Sequence, residues 1–361
     1  MTTGPGIREP APPSPGRPSE RTGPGRLRRI ITNRWLIQLI VVGVLLAFAV
    51  WRIDIRELGG AFAEARYGWL LIALVVYTGS RVVHAWEWQI MLTKVGRAPF
   101  FGLFGATLIG TMVNAVVPAA AGDVVKIQIV ANRYRLPRAG LIAGRGAEAV
   151  VNALIMVVFI VISFTLPAAG FASTTVLWLL AGGTLVAFAG TVFVSHRIPQ
   201  AAPGWRLLGR LPNRTRRGIE SHWPRFREGL EVMRRPKLLA IEVVLNLVGW
   251  LVDIIIFWAF GRAFNLHLPL AAYVSVTVVV AIITVFPITF GNVGTYELAL
   301  LSAFSLYEIP AHDALAYAVG SHLFSTAFNI GLGIAAMWCM GMQPGDLFRL
   351  RTKAGEGSPP T

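Results

Sequence analysis

The chain has 361 residues, 55% of them hydrophobic and only 14% charged, with a mean hydropathy of +0.61. A water-facing domain carries about 25% charged residues, so a soluble globular protein is excluded, and the long apolar runs exclude the alternating strands of a β-barrel. The formal charge of +15 sits mainly between the apolar runs, where Lys and Arg set topology and meet anionic headgroups; no basic-aromatic groove motif accompanies it, so nucleic acid is not an expected partner.

In chain order, residues 1–34 read as a disordered, basic, Pro/Gly-rich cytoplasmic tail, with almost nothing apolar to bury. The first apolar run is Trp35–Trp51. It contains Ala47-Phe48-Ala49, a cleavage-like pattern, but the long leader before it favours a retained helix. Further runs are Gly68–Leu92, Phe100–Val117, Ala139–Phe164, Thr174–Val194, Leu238–Phe260, Leu270–Phe286 and Ala314–Met340. Most approach the roughly 20 residues needed to cross the hydrocarbon core. The transmembrane unit is therefore expected over residues 35–341, followed by a short cytoplasmic tail, 342–361. The only cysteine, Cys339, reads as a small residue packed in the last helix, since one cysteine makes neither an internal disulfide nor a multi-cysteine metal site.

Two runs end in related interruptions. Phe100–Val117 stops at Pro118-Ala-Ala-Ala-Gly122-Asp123, and Leu270–Phe286 stops at Pro287-Ile-Thr-Phe-Gly291-Asn292. Each break is followed by a short helical stretch, a turn containing Pro137 or Pro310, and a long apolar helix. Counted from those prolines, Glu148 corresponds to Ser321 and Asn152 to Ser325.

Charge assigns the topology. The basic N-terminal flank belongs in the cytoplasm, and two helices return the chain there at Lys94 and Arg97. Lys126, Arg133, Arg135 and Arg138 stay on that side only if the Pro118–Asp123 break turns the chain back. The 196–237 loop, with eleven Lys/Arg and three Glu, then returns to the cytoplasm. The same rule at the second break leaves Glu308 and Asp313 outside, and Arg349, Arg351 and Lys353 inside. The expected fold is all-α and polytopic. It has six full spans and two re-entrant broken-helix segments entering from opposite faces, an inverted repeat of the kind that places substrate near the midplane.

Ionisable residues inside a membrane are costly and point to function. Arg145, Glu148 and Asn152 share one helical face, and Ser321, His322, Ser325 and Asn329 give a polar stripe on the matching helix. Glu242, Asn246 and Asp253 form another face, and Arg81, His84 and Glu87 cluster in the second span; both sets also suit a role as glue between helices. Arg145 and His322 are the candidate cations for Glu148. Asp123 and Glu297 each follow a glycine at the start of a helical stretch, Gly122 and Gly294, where an acid also favours the helix dipole. In the cytoplasmic loop, Phe226, Leu230 and Met233 suggest a short amphipathic helix on an anionic membrane surface, started by Pro224. No H-E-x-x-H or G-x-S-x-G motif is present, and the adjacent Ser321 and His322 do not face each other on a helix. No catalytic residue, metal site or cofactor is therefore expected, and the chain does not read as an enzyme.

Asn114-x-x-x-Pro118-x-x-x-Gly122-Asp123, the helix carrying Glu148, and Pro287-x-x-x-Gly291-x-x-Gly294-x-x-Glu297 resemble the flippase-like transmembrane domain of lysylphosphatidylglycerol synthases and its stand-alone relatives. The resemblance runs from about Trp35 to Met340 and implies a lipid-translocating domain built around two re-entrant segments. The family often has Arg where this chain has Lys126, and Glu-Arg-x-x-Asp where this chain reads Glu148-Ala149-x-x-Asn152. The synthases append a soluble aminoacyl-transfer domain, which the roughly twenty residues after the last apolar run would not supply. The expectation is a flippase of the cytoplasmic membrane with both termini inside, moving an anionic phospholipid or a polyprenyl-phosphate-linked lipid. Substrate contacts fall to Asp123, Lys126, Arg145, Glu148, Asn152, Glu297 and His322, with Pro118, Gly122, Pro287, Gly291 and Gly294 making the breaks. The alternatives are a non-transporting partner subunit of a glycosyl- or aminoacyltransferase and an intramembrane lipid enzyme.

Overall fold

The computed structural model of the chain describes residues 60, 62–117, 121–164, 174–197, 213–285 and 292–343. The N-terminal tail, the run Trp35–Trp51, the break residues Pro118, Pro287 and Gly291, and the C-terminal segment beyond 343 lie outside the described residues. Among those described the structure is helical throughout, with no strand. Long apolar runs demand this, because a helix satisfies its own backbone where water is absent.

The helices are α1 (Tyr67–Met91), α2 (Phe100–Val116), α3 (Ala121–Tyr134), α4 (Arg138–Phe164), α5 (Thr174–Arg197), α6 (Asn213–Gly229), α7 (Glu231–Arg234), α8 (Pro236–Ala263), α9 (Leu270–Val285), α10 (Thr295–Ser305) and α11 (Ala311–Cys339). Prolines open several of them: Pro99 and Pro310 stand just before α2 and α11, and Pro236 begins α8, where a missing N–H costs nothing. Left-handed residues end others, with Arg135, Asn265, Glu308 and Gly341 following α3, α8, α10 and α11 at positive φ. Helices α1, α4, α8 and α11 are long and apolar enough to cross a membrane, so this is a multi-pass membrane protein; α2 and α9 are shorter apolar helices.

Side-chain contacts fix the register. Helices α1 and α8 pack antiparallel: the Arg66 N–H donates to Ala263 at one end, and the Ser80 hydroxyl donates to Asp253 further along. Helix α4 runs parallel to α8, its early Gly144 against Met91 and Leu92 and its Asn152 bonded to Trp250. Helix α2 runs antiparallel to α11, with Gly105 against Met340 and Gly333 against Met112. This register carries Val116, the end of α2, to the level of Asn329, about 27 Å by helical rise from the start of α11.

Helix α3 then returns along α2. Tyr134 packs over Gly102, and Gly122 lies against the Gly110 carbonyl. The hairpin α2–α3 thus enters beside the C-terminal end of α11 and turns back partway along it. The hairpin α9–α10 enters from the other end, where the Tyr307 hydroxyl donates to Ser275. Its inner end, at Glu297, reaches the level of His322 on α11, about 17 Å from Ala311. The end of α2 and Glu297 of α10 therefore lie within about 10 Å of each other along α11.

Each hairpin has its own apolar core. Tyr273, Phe304, Tyr317 and Phe260 fill one around α9–α10, and Trp88, Leu103, Ile109 and Leu141 fill the other around α2–α3. The outside is apolar as well, with Leu71, Val75, Phe101, Val186 and Trp338 exposed, as a lipid-facing surface requires. Basic residues gather at the α2–α3 end, where Lys94, Arg97, Arg133, Arg138 and Lys237 flank helix termini.

Two expectations are corrected: Cys339, read as packed in the last helix, is exposed, and the loop helix does not lie on a membrane surface. The cytoplasmic-loop helix starts at Asn213, contains Pro224 rather than beginning there, and stops at Gly229. Gly229 sits against the backbone of α4 at Gly140, and Leu230 and Met233 are buried beside it. That apolar face covers the protein's own core instead of a membrane surface.

Candidate functional site

Asp123 occupies the first turn of α3, where the helix dipole favours an acid. Arg145 reaches it from α4 with two hydrogen bonds, Nε to Oδ1 at 3.2 Å and Nη2 to Oδ2 at 3.3 Å, a bidentate fork that fixes both side chains. The same guanidinium lies 3.6 Å from Glu148, one turn on. Asp123 and Arg145 each keep 31% of their side-chain surface exposed, whereas Glu148 is buried and its Oε2 has no partner among the described residues. This centre is therefore open on one side and closed on the other.

Lys126, one turn after Asp123, is buried with its ammonium 4.1 Å from the centre of the Trp88 ring. An aromatic face offers a cation some of the attraction it loses with water. Glu148, Arg145, Asp123 and Glu87 all lie within electrostatic reach of it. Glu87, from α1, is held 2.6 Å from His84 Nδ1 and leaves Oε1 unpaired. Glu242 enters from α8, fully buried, both oxygens lacking a partner among the described residues, and interacts electrostatically with Glu148, Glu87 and Lys126. Four helices thus contribute to one centre in which carboxylates outnumber cations.

A second centre lies at the start of α10. Gly294 adopts φ +82, which a side chain would strain, and its N–H donates to Glu297 Oε2 at 2.7 Å. Glu297 Oε1 accepts from His322 Nδ1, also at 2.7 Å, and the His322 ring packs at 4.6 Å on Tyr296. The Tyr296 hydroxyl bonds to Ser321 at 3.0 Å. Between the two centres runs a thinner polar layer: Tyr77 bonded to Asn329, Ser80 donating to Asp253, and the Arg81 guanidinium 4.7 Å from the Tyr77 ring centre.

Of the seven expected site residues, Asp123, Lys126, Arg145 and Glu148 converge. Asn152 does not join them; it accepts from Trp250 Nε1 at 2.9 Å, further along α4. Glu297 and His322 form the second centre, so of the two candidate cations for Glu148 it is Arg145 that lies beside it. Glu87 and Glu242 belong to the first centre, although sequence reading set them on separate faces, suited to function or to glue between helices, and did not join them to Glu148. Their signal was present as two intramembrane acids, but spacing along one helix does not say which neighbour it faces.

A helical bundle with an apolar exterior and charged groups buried between the helices defines a polytopic membrane domain with a polar interior. The chain belongs to the family described as the lysylphosphatidylglycerol synthase TM region, whose model matches residues 35–333. That description ties the domain to the membrane part of a lipid-modifying synthase. Comparison with curated proteins gives no match.

Proposed function

We propose that the chain moves an anionic phospholipid, or a polyprenyl-phosphate-linked lipid, between the leaflets of the cytoplasmic membrane, without itself carrying out a covalent reaction. The observation that carries this reading is the half-open charged centre at the head of α3: Asp123 and Arg145 are each 31% exposed beside the buried Lys126 and Glu148, inside a bundle whose outer surface is apolar. Such a centre offers a headgroup what water offered, while the tails remain in lipid. A phosphate is the natural competitor for Asp123, because the guanidinium fork accepts either group bidentately. Lys126 supplies a second cation one turn away.

Both hairpins are re-entrant in this reading and form an inverted repeat about the level where their inner ends approach along α11. The basic α2–α3 end faces the cytoplasm, as the positive-inside bias favours. The opposite end, with Glu308 and Asp313, faces outside. Alternate access would follow from rocking one hairpin against the other around the charged centre.

The test is reconstitution into liposomes containing labelled phosphatidylglycerol, phosphatidylethanolamine or a polyprenyl phosphate, with leaflet exchange read by quenching from outside. Exchange that depends on the protein and on headgroup is expected. Absence of exchange with every lipid would reject transport and leave a non-transporting membrane partner for a separately encoded transferase.

A further inference from the structure

The basic end of the bundle carries a cavity that the charged centre does not use. It lies where the turn between α3 and α4 meets α6, has a volume of about 500 Å³, and is lined by Asn132, Arg135, Pro137, Arg138, His222 and Arg225, with Ala131 and Leu136 behind them. That volume falls in the range of small-ligand sites. Three guanidinium groups and an imidazole share it, and among the described residues no acid lines it.

The cations are not neutralised from elsewhere. Arg138 donates from Nε to Gln128 Oε1 at 2.9 Å and from Nη2 to Asn132 Oδ1 at 3.0 Å, two uncharged amide oxygens that orient it without discharging it. Arg135 and Arg225 have no carboxylate within ion-pair distance among the described residues. His222 turns its Nδ1 to the Gly218 carbonyl at 2.8 Å within its own helix, which directs Nε2 outward. Like charges gathered at one concavity repel unless an anion joins them.

Backbone geometry positions one wall of the cavity. Arg135 follows α3 at φ +53, a left-handed position where Gly or Asn fits at lower cost. The Leu136 N–H closes that turn onto Ala131 at 3.2 Å, and Pro137 follows it. The turn thus carries the Arg135 guanidinium to the rim of the cavity, beside Arg138. The opposite wall is equally fixed, since Gly140 of α4 packs against the Arg225 carbonyl and α6 cannot slide along α4 without a clash.

We infer that this cavity is a binding site for a phosphate group, held by Arg135, Arg138 and Arg225. Planar guanidinium forks match phosphate oxygens, and three of them supply more donors than a monoanion requires. The site stands about 10 Å from Arg145 along α4, and it exists whether or not the chain transports lipid. The phosphate can come from a lipid headgroup at the membrane surface or from a free phosphate in the cytoplasm, and the test separates the two.

The full chain in neutral detergent is titrated calorimetrically with dihexanoyl phosphatidic acid and, separately, with inorganic phosphate. The variants are Arg135→Gly, which suits the left-handed turn, and Arg225→Gln, which leaves the backbone contact with Gly140 in place. Each single variant is expected to weaken binding about tenfold, and the double variant to abolish it, with unchanged thermal unfolding. Binding of phosphatidic acid alone assigns the site to a lipid headgroup, and equal binding of inorganic phosphate assigns it to a free anion. Unaltered affinity in the double variant, or no binding of either probe by the native chain, overturns the site.

Discussion

In the hairpin α2–α3 the arms meet backbone to backbone, Gly122 against the Gly110 carbonyl, and the charges at its inner end stay partly exposed and incompletely paired. In the hairpin α9–α10 the acid at the start of α10 is fully engaged. One carboxylate, Glu297, answers both the Gly294 N–H and His322, and Tyr296 and Ser321 close the flank. The first centre thus leaves several carboxylate oxygens without a partner among the described residues, Glu148 Oε2 and both oxygens of Glu242 included, whereas at the second Glu297 is fully engaged and Asn292 Oδ1 is left over.

The comparison breaks most completely if the hairpins do not enter from opposite faces. In a Cys339→Ser background, Arg133→Cys and Leu306→Cys should react with an impermeant thiol reagent from opposite sides of sealed vesicles, an all-or-none difference. Labelling from one side would end the inverted arrangement. The native thiol is replaced first because it is exposed.

Next in size are the two glycines. A Cβ at position 122 would overlap the Gly110 carbonyl and the Asn114 amide, and backbone cannot yield as a side chain tip can. Gly122→Ala should therefore cost about 3 kcal/mol, at the upper end for an overpacked contact. Gly294→Ala meets mainly conformational strain at φ +82 and should cost about 1–2 kcal/mol. Thermal unfolding in one detergent ranks the pair, and the reverse order would mean that the first hairpin is not closed by its backbone.

The two acids should separate stability from exchange. Glu297→Gln loses an acceptor for either Gly294 or His322 and should destabilise by about 1 kcal/mol, as removal of a helix cap does. Glu148→Gln keeps the shape but removes the carboxylate beside Arg145 and the buried Lys126, so unfolding should fall by about 1–2 kcal/mol while lipid exchange per folded protein falls severalfold. Unchanged exchange per folded protein in Glu148→Gln would make it glue. The smallest effect belongs to the periphery: Trp338, 87% exposed on the apolar exterior, should tolerate Trp338→Ala within about 0.5 kcal/mol.

Much of this architecture was legible in the sequence. Apolar runs such as Leu238–Phe260 and Ala314–Met340 fall inside α8 and α11 with ends displaced by a few residues, because proline and left-handed residues punctuate them. The convergence of Asp123, Arg145 and Glu148 was half legible: a three-residue spacing puts Arg145 and Glu148 on one face, and a basic flank argues for a returning α3. The recruitment of Glu87 and Glu242 was not, nor was the choice of Glu297 by His322. Helical periodicity gives the direction of a side chain relative to its own axis, but says nothing about how two helices are rotated against each other. The loop helix was misjudged for a related reason, since Leu230 and Met233 show an apolar face without showing whether lipid or protein covers it.

Helix α11 packs against both hairpins, as α4 also does. It seats Met112 of α2 against Gly333, receives Phe264 against Gly320, and presents His322 to α10 in between. Twenty-nine residues form it as one continuous helix. If the chain transports lipid as proposed above, this rod would act as a camshaft: a small turn about its own axis would move the seats of Met112 and Glu297 together. Timing between the two halves of the bundle would then run through α11, and softening it midway between Gly320 and Gly333 would loosen that link.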